Sequence, residues 1–253
     1  MNEFPLFILW AIGVSSFTLL GSLYARRYNR SDLLVGLYVA FVVAAQVLAT
    51  KIAQFDFGWT TFAAPAGVLV FSVTFLLTDI VNEAFGRRET HRMIFIAFIA
   101  QVAVSFFLWL GTLFPPDPFW KSNATAWNGF FGMVPRIMLA SWAAFLISEN
   151  LDAWIFSWFR KKTGERYLWV RNVVSSLPAL AIDSLIFVPL AFAGVPGVPL
   201  ALLIKGQIIA KWTVGIVNIP FMYLNHYALC RGREDSACSL QTLEHKERVH
   251  GKA

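Results

Sequence analysis

Charge is what this chain has least of. Only 14% of its residues are Asp, Glu, Lys or Arg, against about a quarter in soluble domains. At the same time 57% are hydrophobic and the mean hydropathy is +0.60. A freely soluble domain is excluded on that ground, and most of the 253 residues are expected in lipid. Cysteine is nearly missing too. Cys230 and Cys238 stand seven intervening residues apart in the polar C-terminal stretch, which is neither a zinc spacing nor a redox pair. There is no Gly-rich phosphate loop, no His-Glu-x-x-His and no Gly-x-Ser-x-Gly, so nucleotide hydrolysis and the common hydrolytic chemistries are excluded as well. No enzyme, metal or cofactor is expected. The net charge of +6 does not point to nucleic acid, because the Lys and Arg residues cluster at the ends of apolar runs, where orientation and lipid headgroups account for them.

What the chain does have is long apolar runs. Seven are drawn at 4–24, 33–53, 62–84, 93–114, 134–158, 173–194 and 204–229, each near the length a tilted helix needs to cross hydrocarbon. The basic residues alternate between the connections. Arg26, Arg27 and Arg30 follow the first run, Arg87, Arg88 and Arg92 the third, Arg160, Lys161, Lys162, Arg166 and Arg171 the fifth, and Arg231 and Arg233 the seventh. The intervening loops 54–61, 115–133 and 195–203 hold one Lys between them, Lys121. By the positive-inside rule this predicts an all-α polytopic membrane protein of about seven helices, N-terminus outside and C-terminus cytoplasmic, in a prokaryotic cell membrane. The N-terminus has no basic n-region and no cleavage site, and the first run is expected to be retained. Loop 115–133, with Trp120 and Trp127, reads as an interfacial segment.

An ionisable group inside a span costs at least about 2.5–3.5 kcal/mol on insertion scales and needs a partner or a wet cavity. Asp183 falls near the centre of the sixth run, Glu149 inward of the centre of the fifth, and Lys211 and Asp79 off-centre in the seventh and third. Arg136 lies toward the outer end of the fifth run, and Glu83 and Asp152 near the cytoplasmic interface. Asp79 and Glu83 are i and i+4, and Glu149 and Asp152 are i and i+3, so each pair shares a helix face. Pro65 and Gly67 interrupt the third run, Pro178 and Pro189 flank Asp183, and Pro220 lies in the seventh, where freed carbonyls can line a solute site. The alternative is that the charges only lock the bundle together, as in a non-transporting scaffold.

Certain stretches carry a resemblance. Ala49-Thr50-Lys51-Ile52 is followed by Pro65-Ala66-Gly67-Val68-Leu69-Val70-Phe71 and by the run from Thr74 to Gly86 containing Thr78-Asp79-Ile80-Val81-Asn82-Glu83. Further on come Ser148-Glu149-Asn150-Leu151-Asp152, Lys162-Thr163-Gly164, Leu168-Trp169-Val170-Arg171-Asn172, Asp183-Ser184-Leu185-Ile186-Phe187 and Lys211. Over residues 33–229 the chain resembles the queuosine precursor transporter family, also called the vitamin uptake transporter family. The resemblance implies a six-span importer of deazaguanine bases such as 7-cyano-7-deazaguanine. The chain then divides into an additional N-terminal helix (1–30), a six-helix core (31–230) and a polar cytoplasmic tail (231–253). The family's Gln positions before the two Asp residues read Glu149 and Ala179 or Leu180 in this sequence.

Such a substrate suits the buried charges. A guanine-like base offers a ring N–H and an exocyclic amine side by side, and a carboxylate, Asp183 or Glu149, can accept both. Lys211 or Arg136 can donate to the carbonyl oxygen, and Trp212 can stack on the ring. Asp79 is a further substrate-binding candidate, and Glu83, Asp152 and Arg171 are candidate structural or coupling charges. The expected partners are a small nucleobase-like solute and the bilayer, with no nucleic acid. A second copy of the chain, or an energising subunit for which this chain captures substrate, is left open.

Overall fold

The computed structural model describes residues 4–56, 61–163 and 168–230, with some side chains inside helices, those of Glu83, Glu149, Asp152 and Arg171 included, outside that description. The tail from 231 lies outside it too. The described residues are mostly helical: α1 (Phe4–Tyr28), α2 (Asp32–Leu48), α3 (Gly67–Phe85), α4 (Arg87–Leu113), α5 (Lys121–Phe131), α6 (Val134–Thr163), α7 (Leu168–Phe192) and α8 (Leu200–Cys230). Helices are the form these apolar runs must take in lipid, which offers the backbone no hydrogen-bonding partner. Four stretches among the described residues are long and apolar enough to cross a membrane: Pro5–Tyr28, Arg88–Leu113, Pro118–Ser148 and Leu200–Asn218. Asp32–Leu48, Gly67–Asn82 and Leu177–Phe192 are shorter apolar helices.

One expectation needs correcting. The second and third apolar runs do not continue as helix to 53 and from 62, because the chain between α2 and α3 forms an antiparallel hairpin of β1 (Ile52–Asp56) and β2 (Thr61–Pro65). Ile52 pairs with Pro65, Gln54 with Ala63 and Asp56 with Thr61. Pro65 sits at the strand end, where a missing N–H costs nothing. Phe62, Ala64 and Val68 pack with Ala210 of α8, so protein covers one face of β2. The loop 115–133 holds a 3-10 turn, Pro118–Trp120, followed by α5, with no buried residue in either. Trp120 and Trp127 meet edge to face at 5.8 Å.

The described residues fall into two compact units. One takes in the chain up to Val43, Val70–Ala100 and the stretch from Ile216. Its core gathers Val14 and Ala25 of α1, Leu34, Tyr38 and Val42 of α2, Leu76, Leu77 and Val81 of α3, Met93 of α4 and Leu229 of α8. Within it Ser22 donates to Asn225 Oδ1 at 2.9 Å, and Asn225 Nδ2 donates to Thr18 at 3.1 Å. All three are fully buried, so α1 is joined to α8 by a closed polar cluster.

The other unit comprises Ala44–Leu69 and Gln101–Gly215. Here α6 packs along α7. Ala140, Ala144 and Ser148 recur at every fourth position of α6 and are all buried, a small-residue stripe that lets helix backbones approach closely. On α7 the buried stripe is Asp183, Ser184, Phe187, Val188 and Ala191. Two glycines mark closer approaches still. A Cβ on Gly67 would meet Ala45 O at 2.1 Å, and one on Gly206 of α8 would meet Ala63 O of β2 at 1.9 Å.

Candidate functional site

Asp183 lies on the same stripe of α7 that packs the core, which keeps it from lipid and from the interface. It is 5% exposed. On α8 the buried stripe runs Leu203, Gly206, Gln207, Ala210, Lys211, Val214, and Lys211 is 2% exposed. The Lys211 ammonium forms an ion pair with Asp183 Oδ2. Ser148, from the small-residue stripe of α6, donates to Phe145 O at 3.1 Å and reaches Asp183 Oδ1 at 3.5 Å. Three helices thus converge on one carboxylate, with one oxygen committed to the ammonium and the other, among the described residues, in a long contact with a hydroxyl.

The pairing answers the cost of placing each charge in an apolar interior. Breaking a buried ion pair by removing one partner typically costs about 3–5 kcal/mol. A pair of well-packed apolar residues would hold the helices together at least as well. What an apolar pair cannot do is exchange partners with a polar solute.

Other sequence candidates fall elsewhere. Arg136 is exposed and donates through Nε to Leu190 O at 2.8 Å and through a terminal nitrogen to Ala193 O at 2.6 Å. Those carbonyls belong to the end of α7, where Gly194 turns the chain at φ 79°. A cation at a helix C-terminus also meets the negative end of the dipole. Trp212 is 39% exposed, on a different face of α8 from Lys211, and donates to Leu177 O at 3.2 Å. Asp79 is on an exposed face of α3 in the other unit. The side chains of Glu149, Asp152, Glu83 and Arg171 lie outside the described residues. Among the described residues no group of His, Cys, Asp and Glu is gathered as a metal site would need.

Three buried glutamines share the unit, none of them a charge that an apolar run would betray: Gln46, Gln207 and Gln101, whose Oε1 accepts from Trp142 Nε1 at 2.6 Å. Gln46 donates its amide to Ser105 and, at 3.4 Å, to Val134 O, while its Oε1 has no hydrogen-bond partner. Gln207 lies one turn before Lys211 on the same buried stripe, and its Oε1 likewise has none among the described residues. A neutral amide triggers no alarm in a charge inventory, although an unmet buried acceptor is expensive. The signal that was available is position: Gln207 and Lys211 stand at i and i+4.

Comparison with known proteins agrees with this picture. Residues 65–225 match the family described as "Putative vitamin uptake transporter". The chain is 29% identical over 204 residues, 79% of its own length and 86% of the relative's, to a protein of Bacillus subtilis (strain 168) named "Probable queuosine precursor transporter". A protein of the same name from Haemophilus influenzae (strain ATCC 51907 / DSM 11121 / KW20 / Rd) is 27% identical over 132 residues, 52% of this chain and 53% of the relative. No solved structure matches the chain. With the matched segment covering more than half of the sequence and running through Asp183 and Lys211, the chain belongs to the vitamin uptake transporter family, and it is a multi-pass membrane transporter rather than an enzyme.

Proposed function

We propose that this chain imports a queuosine precursor, a 7-deazaguanine base such as 7-cyano-7-deazaguanine, and that Asp183 and Lys211 form the polar centre of its path. The observation that carries the reading is the buried ion pair of α7 and α8 in a transporter whose relatives are named for queuosine precursors. A guanine-like lactam edge places a carbonyl acceptor beside N–H donors. Lys211 donates to the carbonyl and Asp183 Oδ1 accepts a ring N–H, so a solute joins the pair without leaving either charge bare. Glu149, next in sequence to Ser148, is the second carboxylate of the path. Asp79, Arg136 and Trp212 remain secondary candidates; the hydrogen bonds of Arg136 and Trp212 to α7 carbonyls give those two a structural role already. Seven spans with the N-terminus outside and the C-terminus cytoplasmic complete the proposal.

The test is the queuosine content of transfer RNA in a host that neither makes nor imports the precursor, expressing this chain with external 7-cyano-7-deazaguanine limiting. Queuosine should appear with the wild type and be lost with Asp183→Asn at equal membrane expression. No queuosine from well-expressed wild type sinks the proposed substrate.

A further inference from the structure

We infer that Gln207 is a specificity residue for that solute, its Oε1 accepting a hydrogen bond from the exocyclic amine of a guanine-like base. The inference deepens the reading of the chain as a deazaguanine importer and rests on it. Gln207 is 4% exposed and its carbonyl oxygen is unsatisfied. Native interiors rarely leave such an atom alone, and each one calls for an explanation such as a role in binding. The surroundings supply one. Gln207 and Lys211 share the buried face of α8 one turn apart, about 5–6 Å between Cβ atoms, and Lys211 is paired to Asp183.

The acceptor count makes the same point. A guanine-like edge presents two adjacent donors, the ring N–H and the exocyclic amine. Asp183 has one oxygen committed to Lys211, leaving Oδ1 for one donor. The second donor needs another acceptor, and Gln207 Oε1 is unmet on the face that carries Lys211. Gln46 differs: its amide hydrogens are spent on Ser105 and Val134, which fixes the side chain in a helix-packing role.

The experiment measures uptake of labelled 7-cyano-7-deazaguanine by cells expressing wild type, Gln207→Met or Gln207→Leu, with guanine and hypoxanthine as competitors. Hypoxanthine keeps the lactam and lacks the exocyclic amine. The wild type should be inhibited better by guanine than by hypoxanthine, by about tenfold, the worth of one hydrogen bond to a site that otherwise stays unmet. In both variants the half-saturation concentration should rise about tenfold and the two competitors should become nearly equal. Thermal stability in detergent should hold or rise, since an apolar side chain replaces an unsatisfied amide. Unchanged half-saturation and discrimination in stable variants overturn the role of Gln207 while leaving the importer reading intact. Failure of the wild type to take up the label overturns both.

Discussion

At the residue scale, Asp183 and Lys211 were legible because an ionisable side chain in an apolar run demands an explanation, and each explains the other. Which cation would meet which carboxylate was not legible. The sequence offered both Arg136 and Lys211 as donors, and only the packing of α7 beside α8 chose, while the backbone of α7 claimed Arg136. Gln207 escaped notice because amides are cheap to insert compared with charges. The pair itself invites a separation of structural from transport roles. Asp183→Ala should destabilise the protein by about 3–5 kcal/mol, because it breaks a buried ion pair by removing one side of it. The double variant Asp183→Leu with Lys211→Met should recover most of that loss in a detergent melt yet import nothing. Restored uptake in the stable double variant would mean that the charges only hold helices together.

At the scale of elements, seven of the eight α-helices among the described residues were readable as apolar runs, and the hairpin was not. Residues 52–56 and 61–65 are apolar enough to extend the neighbouring spans, and their two-residue alternation is short and easily lost beside a helix. What makes the hairpin viable is Gly206, whose missing side chain admits the β2 backbone. Gly206→Ala should therefore lower stability by about 1–3 kcal/mol through overpacking against an atom that cannot swing aside. Gly111→Ala, in α4 with nothing within 4 Å of the added carbon, should be neutral or stabilising by up to about 1 kcal/mol. Comparing thermal midpoints of the two variants checks the contact; equal midpoints would refute it. At the end of α7, Arg136→Ala should cost roughly 1 kcal/mol and raise the half-saturation of uptake no more than the stability loss explains. A larger effect on uptake would return Arg136 to the substrate path.

At the scale of the whole molecule, the alternation of basic loops gave an orientation from the sequence that a membrane-free structure leaves untouched. A reporter active only in the cytoplasm should work when fused after Cys230 and fail when fused before Phe4 or within 115–133. The reverse pattern would invert the topology. The polar cluster of Thr18, Ser22 and Asn225 gives α1 a fixed neighbour within its unit. Deleting residues 1–30 should thus lower membrane expression, since Asn225 would be left facing lipid, and Asn225→Leu in the shortened chain should restore part of it. The sequence could not foresee that cluster, because hydroxyl and amide partners some two hundred positions apart leave no mark on local pattern.

The bare contact of Gly206 with Ala63 sits about one and a half turns of α8 before Lys211. With no side chain between the two backbones there is no cushion, so any residue larger than glycine at 206 would push β2 away from the very stretch of α8 that presents Lys211 to Asp183.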